Sequence, residues 1–384
     1  MKITGFILFF LIVFSFYFLV NFYLARRGWA AFHDLGWPRS VFLLVFLLLA
    51  LLYPLSRFLE RSSLRDLAIP MTQIGAYYLA MMIFLLVLLL AVDGVRLLDW
   101  LFRLSPQGWR SWKGPLARWV YLGCLLVALL LTLVGAWNAR HIQVRRLALS
   151  LPKKQGALNQ VRLVLASDIH LGTLIPASRF REMARLINEQ KPDAVLIGGD
   201  LFDEDVTRLN ESELVESLAS LKSRYGTYAI LGNHEYFAGA QATIALMRKG
   251  GFTVLREESV RVADAFYLVG RDDRQGSHWG GLRTPQSRLM ANLPKDLAVM
   301  AMDHQPFSLE EAADAGVDLQ LSGHTHHGQI WPFNFITNRV YEISWGYGRK
   351  GQTQYYVSCG AGTWGPPVRL GNRPEIVVLE ISFI

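Results

Sequence analysis

The sequence predicts two parts of different fold class: an α-helical membrane domain over residues 1–140 and an α/β domain over residues 159–384, joined by a link at 141–158. Three observations predict this division. Long uncharged stretches fill the first part. Short β-rich apolar runs alternating with amphipathic segments fill the second. The charge balance changes at the same place.

The uncharged stretches are Ile3–Ala25, Ser40–Ser56, Leu67–Val92 and Trp119–Ala139. A helix needs about 20 mostly apolar residues to cross roughly 30 Å of hydrocarbon. Three stretches reach that length, and the shorter second one is continuously apolar from Val41 to Leu55. Buried helices of a soluble core would show a polar face, which these lack. The first stretch is too long for the apolar region of a signal peptide, has no small-residue cleavage site, and is followed by Arg26, Arg27 and further spans. It reads as a retained anchor, and the chain as a multi-pass protein of the cell membrane. Basic residues flank the spans almost equally on both sides, eight against seven, so they do not fix orientation. Arg26 and Arg27 directly after the first span favour an extracytoplasmic second domain, whereas the basic residues around Arg145 favour the reverse.

Up to residue 150 there are fifteen Lys and Arg against five Asp and Glu, whereas the whole chain carries +8. The remainder is therefore close to neutral. Basic residues beside spans meet anionic headgroups, so the expected partner is a lipid bilayer. A nucleic-acid-binding protein would carry its positive charge on the second domain, and no nucleic acid is expected. Two cysteines, Cys124 and Cys359, supply neither a disulfide framework nor a cysteine metal site.

In the second part, strands are expected at Val161–Ala166, Ala194–Ile197, Tyr228–Leu231, Thr253–Leu255, Phe266–Val269, Leu297–Met302, Leu319–Leu321, Tyr355–Ser358 and Ile376–Ile381. Pro176–Lys191 reads as a helix, with Phe180, Met183, Leu186 and Ile187 on one side. Leu214–Leu221 and Ala240–Arg248 are also helical in pattern. Such alternation implies an α/β fold around a buried sheet.

The segments just past five of these strands carry the chemistry. They read Asp168-Ile169-His170, Gly199-Asp200-Leu201-Phe202-Asp203, Gly232-Asn233-His234-Glu235, Asp303-His304 and Gly323-His324-Thr325-His326-His327. Ligands of open α/β folds bind beyond the carboxyl ends of strands, so five strand ends would deliver polar groups to one rim. Asp oxygens and neutral imidazoles suit zinc, manganese or iron. Both Asp-x-His and His-x-His would place their side chains on one face of an extended segment. Each piece alone is weak, since a single buried histidine is more often a satisfied structural one. Together they are specific: six of the nine histidines fall in these five segments. His327 is either a substrate contact or an accident beside a true ligand.

This ordered series resembles the calcineurin-like metallophosphoesterase superfamily over about residues 158–384. The Gly323–Gln329 and Tyr356–Thr363 segments, with Arg369–Glu375, resemble its YkuE-like bacterial phosphodiesterase branch. The resemblance implies a two-sheet β-sandwich flanked by helices. It implies two divalent metal ions, one held by Asp168, His170 and His326, the other by Asn233, His304 and His324, with Asp200 bridging them. It makes His234 the catalytic histidine, oriented by Asp203. The implied reaction is hydrolysis of a phosphodiester, phosphomonoester or pyrophosphate by in-line attack of a metal-bridging hydroxide. Proteins of this resemblance often carry an export segment, which leans the second domain slightly toward the extracytoplasmic side.

The membrane part extends the expected substrates to lipid-linked phosphoesters; the competing reading makes the spans mere tethers. A metal-binding scaffold or sensor with little catalysis is the rival class, and a missing ligand would favour it. A transporter would need polar groups at depth in the spans, and these contain almost none.

Overall fold

The computed structural model describes residues 3–60, 62–103, 114–152, 155–279, 281 and 283–384. The chain divides into two compact units, Met1–Trp137 with Pro366–Val368, and Asn138–Gly365 with Arg369–Ile384.

The first unit is built from α1 (Ile3–Ala31), α2 (Gly36–Leu59), α3 (Arg65–Phe102) and α4 (Pro115–Arg140). Each covers one of the four apolar stretches. Among the described residues, α2, α3 and α4 are long and apolar enough to cross a membrane. Leu44, Leu48, Leu51, Leu133 and Val134 are all exposed, an apolar surface suited to hydrocarbon rather than water. Packing of α2 on α3 is close because Gly75 has no side chain: a Cβ there would sit 2.6 Å from the Tyr53 backbone nitrogen. Two polar contacts join neighbouring helices of the unit. The Tyr17 hydroxyl donates to Ala50 O at 2.6 Å, and Thr72 Oγ1 donates to Ser56 Oγ at 2.9 Å. At 1.5 Å per residue α3 is about 57 Å long, well beyond the roughly 30 Å of a hydrocarbon core. Its charged end begins at Asp93, which pairs with Arg27 and Arg96 and accepts the Tyr23 hydroxyl.

The second unit holds twelve strands among the described residues. They are β1 (Gln143–Leu151), β2 (Gln160–Ala166), β3 (Ala194–Ile197), β4 (Thr227–Ala229), β5 (Phe252–Val254) and β6 (Glu258–Val262). The rest are β7 (Phe266–Gly270), β8 (Ala298–Met302), β9 (Leu319–Ser322), β10 (Gly346–Lys350), β11 (Thr353–Val357) and β12 (Glu375–Phe383). They form two six-stranded sheets, ordered β1-β12-β2-β3-β4-β5 and β10-β11-β9-β8-β7-β6. The connecting helices are α5 (Ala177–Glu189), α6 (Glu211–Ala219), α7 (Asn233–Ala238), α8 (Ala240–Lys249), α9 (Gln286–Met290), α10 (Glu310–Asp314) and α11 (Asn334–Val340).

Alternation along the strands sorts the apolar residues into layers. In β2, Val161, Leu163 and Leu165 enter the core between the sheets, where they join Phe266, Leu268, Met300, Leu319 and Tyr356. Val164 and Ala166 point the other way, against Phe180, Met183 and Ile187 of α5. The outer face of the second sheet is covered separately by Leu309, Ala312 and their neighbours. The unit is thus a helix–sheet–sheet–helix sandwich.

The link expected over 141–158 is largely sheet. Its residues Gln143–Leu151 pair in parallel with β12 along their whole length, because Leu149 and Leu151 alternate into the inter-sheet core. The sequence reading also passes over β6 and β10, whose residues are half charged or glycine-rich. Both are outermost strands, where one flank needs no partner and apolar alternation is not demanded.

Candidate functional site

Strands β2, β3 and β4 run parallel, as do β7, β8, β9 and β11. The five motifs follow the carboxyl ends of β2, β3, β4, β8 and β9, so both sheets supply side chains to one rim. Asp168, His170 and His326 offer ligand atoms that all lie within 4.8 Å of one another, and so do Asp200, His304 and His324. His170 belongs to a third such group with Asp203 and His234.

The Asp-x-His and His-x-His motifs do not converge in the expected way. Asp168, His170, His324 and His326 are not on extended segments sharing a face. All four have positive φ, between 46° and 72°, as does Asp200 at 51°. Left-handed backbone is costly for residues with a Cβ and persists where the surroundings impose it. Here each reversal at a strand end turns a side chain back over the rim. Of thirteen non-glycine residues with positive φ among those described, six are Asp168, His170, Asp200, His324, His326 and His327, so the strain gathers at the site.

The carboxylates are held by the backbone of neighbouring motifs. The His324 N–H donates to Asp168 Oδ1 at 2.9 Å, and the His234 N–H donates to Asp200 Oδ1 at 2.9 Å. His304 Nδ1 lies 2.8 Å from Gly198 O, which can only accept, so Nδ1 carries the proton and Nε2 faces Asp200 Oδ2 at 3.1 Å. His170 Nε2 and His326 Nε2 lie 3.0 Å apart. Asp203 Oδ1 sits 3.0 Å from His234 Nδ1 and 3.2 Å from His170 Nδ1.

Electrostatics match the donor set. Burial, aided by the His304 cation, drives the His324 imidazole down to about 3. Burial also carries His326 well below the ordinary histidine range, so both rings are neutral, as a metal ligand must be. Burial would depress His304 too, but the adjoining Asp200 carboxylate outweighs it and raises this ring well above its usual range. A proton on His304 therefore balances buried carboxylate charge, a task a bound cation would take over. His234 follows the same logic: burial opposes its charge, and Asp203 and Asp200 overcome it, raising the ring to about 9.

The residues fit two divalent cations. Asn233 Oδ1 is buried without a hydrogen-bond partner. Such an orphaned atom costs about 1–3 kcal/mol unless something satisfies it. With it stand the carboxylates and imidazoles that zinc, manganese and iron take as ligands. His327 stands apart from the clusters: its Nδ1 is 2.9 Å from Ser344 Oγ and its ring is 5.1 Å from that of Trp345.

Two residues that position the site carried no role in the sequence reading. The fully buried Glu235 accepts the Asp200, Phe202 and Gly232 N–H groups at 2.9, 3.0 and 2.6 Å. Its place three residues after Gly232, at the start of α7, is the capping-box spacing and could have revealed it. Buried Arg369 donates to Cys359 O and Gly362 O at 2.7 Å, and its Nη2 lies 3.2 Å from His326 Nδ1. That Gly-rich segment closes over the Asp168 turn, where a Cβ on Gly362 would lie 2.0 Å from Ile169 O. No local pattern marks a buried arginine.

A profile of the calcineurin-like phosphoesterase family matches residues 161–328. An uncharacterized metallophosphoesterase of Aquifex aeolicus is 34% identical over 226 residues, covering 58% of this chain and 85% of its own. A transmembrane protein with metallophosphoesterase domain from Bos taurus is 31% identical over 67% of this chain, which spans 61% of that protein's length. Phosphodiesterase YaeI of Escherichia coli is 32% identical, with 57% of this chain and 82% of its own aligned. With its motifs on one rim and these relatives in common, the chain belongs to the calcineurin-like metallophosphoesterases, a family of phosphoric ester hydrolases.

Proposed function

We propose that the protein is a membrane-anchored phosphoesterase that works with two divalent ions, drawn from Mn, Zn and Fe. The observation that carries this reading is the pair of ligand clusters at one rim, Asp168–His170–His326 and Asp200–His304–His324, each within 4.8 Å. Asp168, His170 and His326 would hold one ion, and Asn233, His304 and His324 the other, with Asp200 common to both. Bound there, the ions would neutralise phosphoryl oxygens and supply hydroxide near neutral pH.

The chain's own residues supply acid chemistry beside them. Asp203, 3.0 Å from His234 Nδ1, holds that nitrogen protonated and leaves Nε2–H to donate to the leaving oxygen. A histidine raised to about 9 is protonated at neutral pH. The exposed apolar helices support anchoring in a bilayer; α1 would add a fourth span, and Arg26 and Arg27 after it would set the second unit on the outer side. The helices also bring lipid-linked phosphoesters within the substrate class.

The test is a hydrolysis screen of the full-length protein in detergent, with each metal, against phosphodiesters, phosphomonoesters, pyrophosphates and lipid phosphoesters. Turnover that is abolished by chelation and restored by one of these metals supports the reading. Stable binding of two ions without turnover of any of them would instead make the protein a metal-binding scaffold.

A further inference from the structure

The rim of the site carries an apolar surface that hydrolysis itself does not require. Directly after the ligand loop, Trp331, Phe333, Phe335, Ile336 and Val340 are exposed, at 45, 38, 63, 59 and 54%. They occupy α11 and the turn leading into it, and no residue of α11 is buried. Tyr341, at the end of the same segment, places its ring 6.1 Å from that of His324. The segment is held to the opposite lip through Gln329, which donates to Trp364 O at 2.9 Å and accepts from the Trp364 N–H at 2.8 Å. Trp364 and Phe237, exposed at 58 and 57%, have rings 6.1 and 5.7 Å from that of His234. Aromatic side chains thus border both His324 and His234, and the exposed aliphatic residues Ile336 and Val340 lie on the segment that ends at Tyr341.

Contiguous exposed apolar surface of this kind marks a binding face. Exposed Arg339 stands on α11 among these side chains, the mixture by which short amphipathic segments engage lipid. The same chain carries helices long and apolar enough to sit in a bilayer, so hydrocarbon chains are the apolar matter at hand. We propose that this lip binds the hydrocarbon chains of a membrane lipid and so presents its phosphoester to the rim residues. The proposal rests on the phosphoesterase reading for its catalytic consequence and on the exposed lip for its binding.

The kinetic test compares p-nitrophenyl hexadecyl phosphate with p-nitrophenyl methyl phosphate, using full-length protein at equal metal loading. In both, water adds to phosphorus, the phosphorus–oxygen bond to the aryl group breaks, and p-nitrophenol leaves, so they differ only in the alkyl chain. The expected result is a kcat/KM at least about tenfold higher for the hexadecyl ester, the scale of burying a few apolar groups. In the double variant Phe335→Asp, Ile336→Asp that ratio falls toward one. No preference in the wild type, or a preference that survives the double variant, overturns the proposal.

A readout free of turnover separates the two readings. The two cysteines are buried, so a bimane label can be directed to Phe335→Cys or to Lys222→Cys. Lys222 is exposed and precedes β4, at the end of the sheet opposite the rim. In nanodiscs of brominated phosphatidylcholine, stronger quenching at 335 than at 222 supports the lip. Equal quenching refutes it, even if neither ester is cleaved, an outcome that would overturn the phosphoesterase reading alone.

Discussion

Replacing Glu235 by glutamine changes one atom of a buried group and nothing of its shape. The carboxylate is fully buried and accepts three backbone N–H groups, two on Oε2 from Asp200 and Gly232 and one on Oε1 from Phe202. Burial pushes this carboxyl upward, and the Phe202 and Gly232 donors oppose it. Glutamine can keep its oxygen at the Oε2 position, but its NH2 then faces the Phe202 N–H. A buried donor left without an acceptor costs about 1–3 kcal/mol. The two surviving bonds lose their charge assistance, roughly half their strength. Together the loss is about 3 kcal/mol, which for a domain of this size is a fall in Tm of about 6–12 °C. Thermal unfolding of the full-length protein in detergent, followed by near-ultraviolet circular dichroism, measures it. Because the Asp200 turn is released, metal occupancy falls too. A Tm within about 2 °C of wild type would refute this account of how Asp200 is positioned.

Two other outcomes rest on the same geometry. Asn233→Ala removes an oxygen that is buried without a hydrogen-bond partner. The fold should survive with Tm barely changed, while bound metal drops from two ions toward one by elemental analysis; retention of both would mean that Asn233 is no ligand. As the proton donor proposed above, His234, with its ring raised to about 9, keeps its proton through neutral pH and loses it as pH rises through about 9. The log of kcat/KM should therefore bend downward there, and His234→Ala should lack that limb; an unaltered limb in the variant would assign it to another group.

Much of this was legible in the residues, and the reasons differ by element. Strands such as β3 are continuous buried apolar runs, so their limits could be read directly. β1 is hard to read because Arg145 and Arg146 make it resemble a basic connection, although Leu147, Leu149 and Leu151 alternate as an edge strand should. The clustered donors were legible because the types of residue at a strand end are local information. Their arrival at one rim was legible too, from the strand ends they follow; the backbone route was not, because it depends on left-handed φ at Asp168, His170, Asp200, His324 and His326, which nothing in the types of those residues demands. Glu235 and Arg369 act across the fold, on Phe202 and on Cys359, and such partners exist only once the strands are ordered. The exposed lip at Trp331–Val340 was hidden for a related reason, since short apolar runs read as core until burial is known.

The central claim is that Asp200 joins two metal ions in a hydrolytic site. Metal content and turnover of the wild type and of Asp200→Asn, measured side by side on the full-length protein, test it most directly. The wild type should bind two divalent ions per chain and hydrolyse a phosphodiester. Asp200→Asn should lose metal and slow at least about a hundredfold, the upper end of what loss of a partner to a metal ligand costs. A variant that keeps both ions and wild-type turnover would contradict the account.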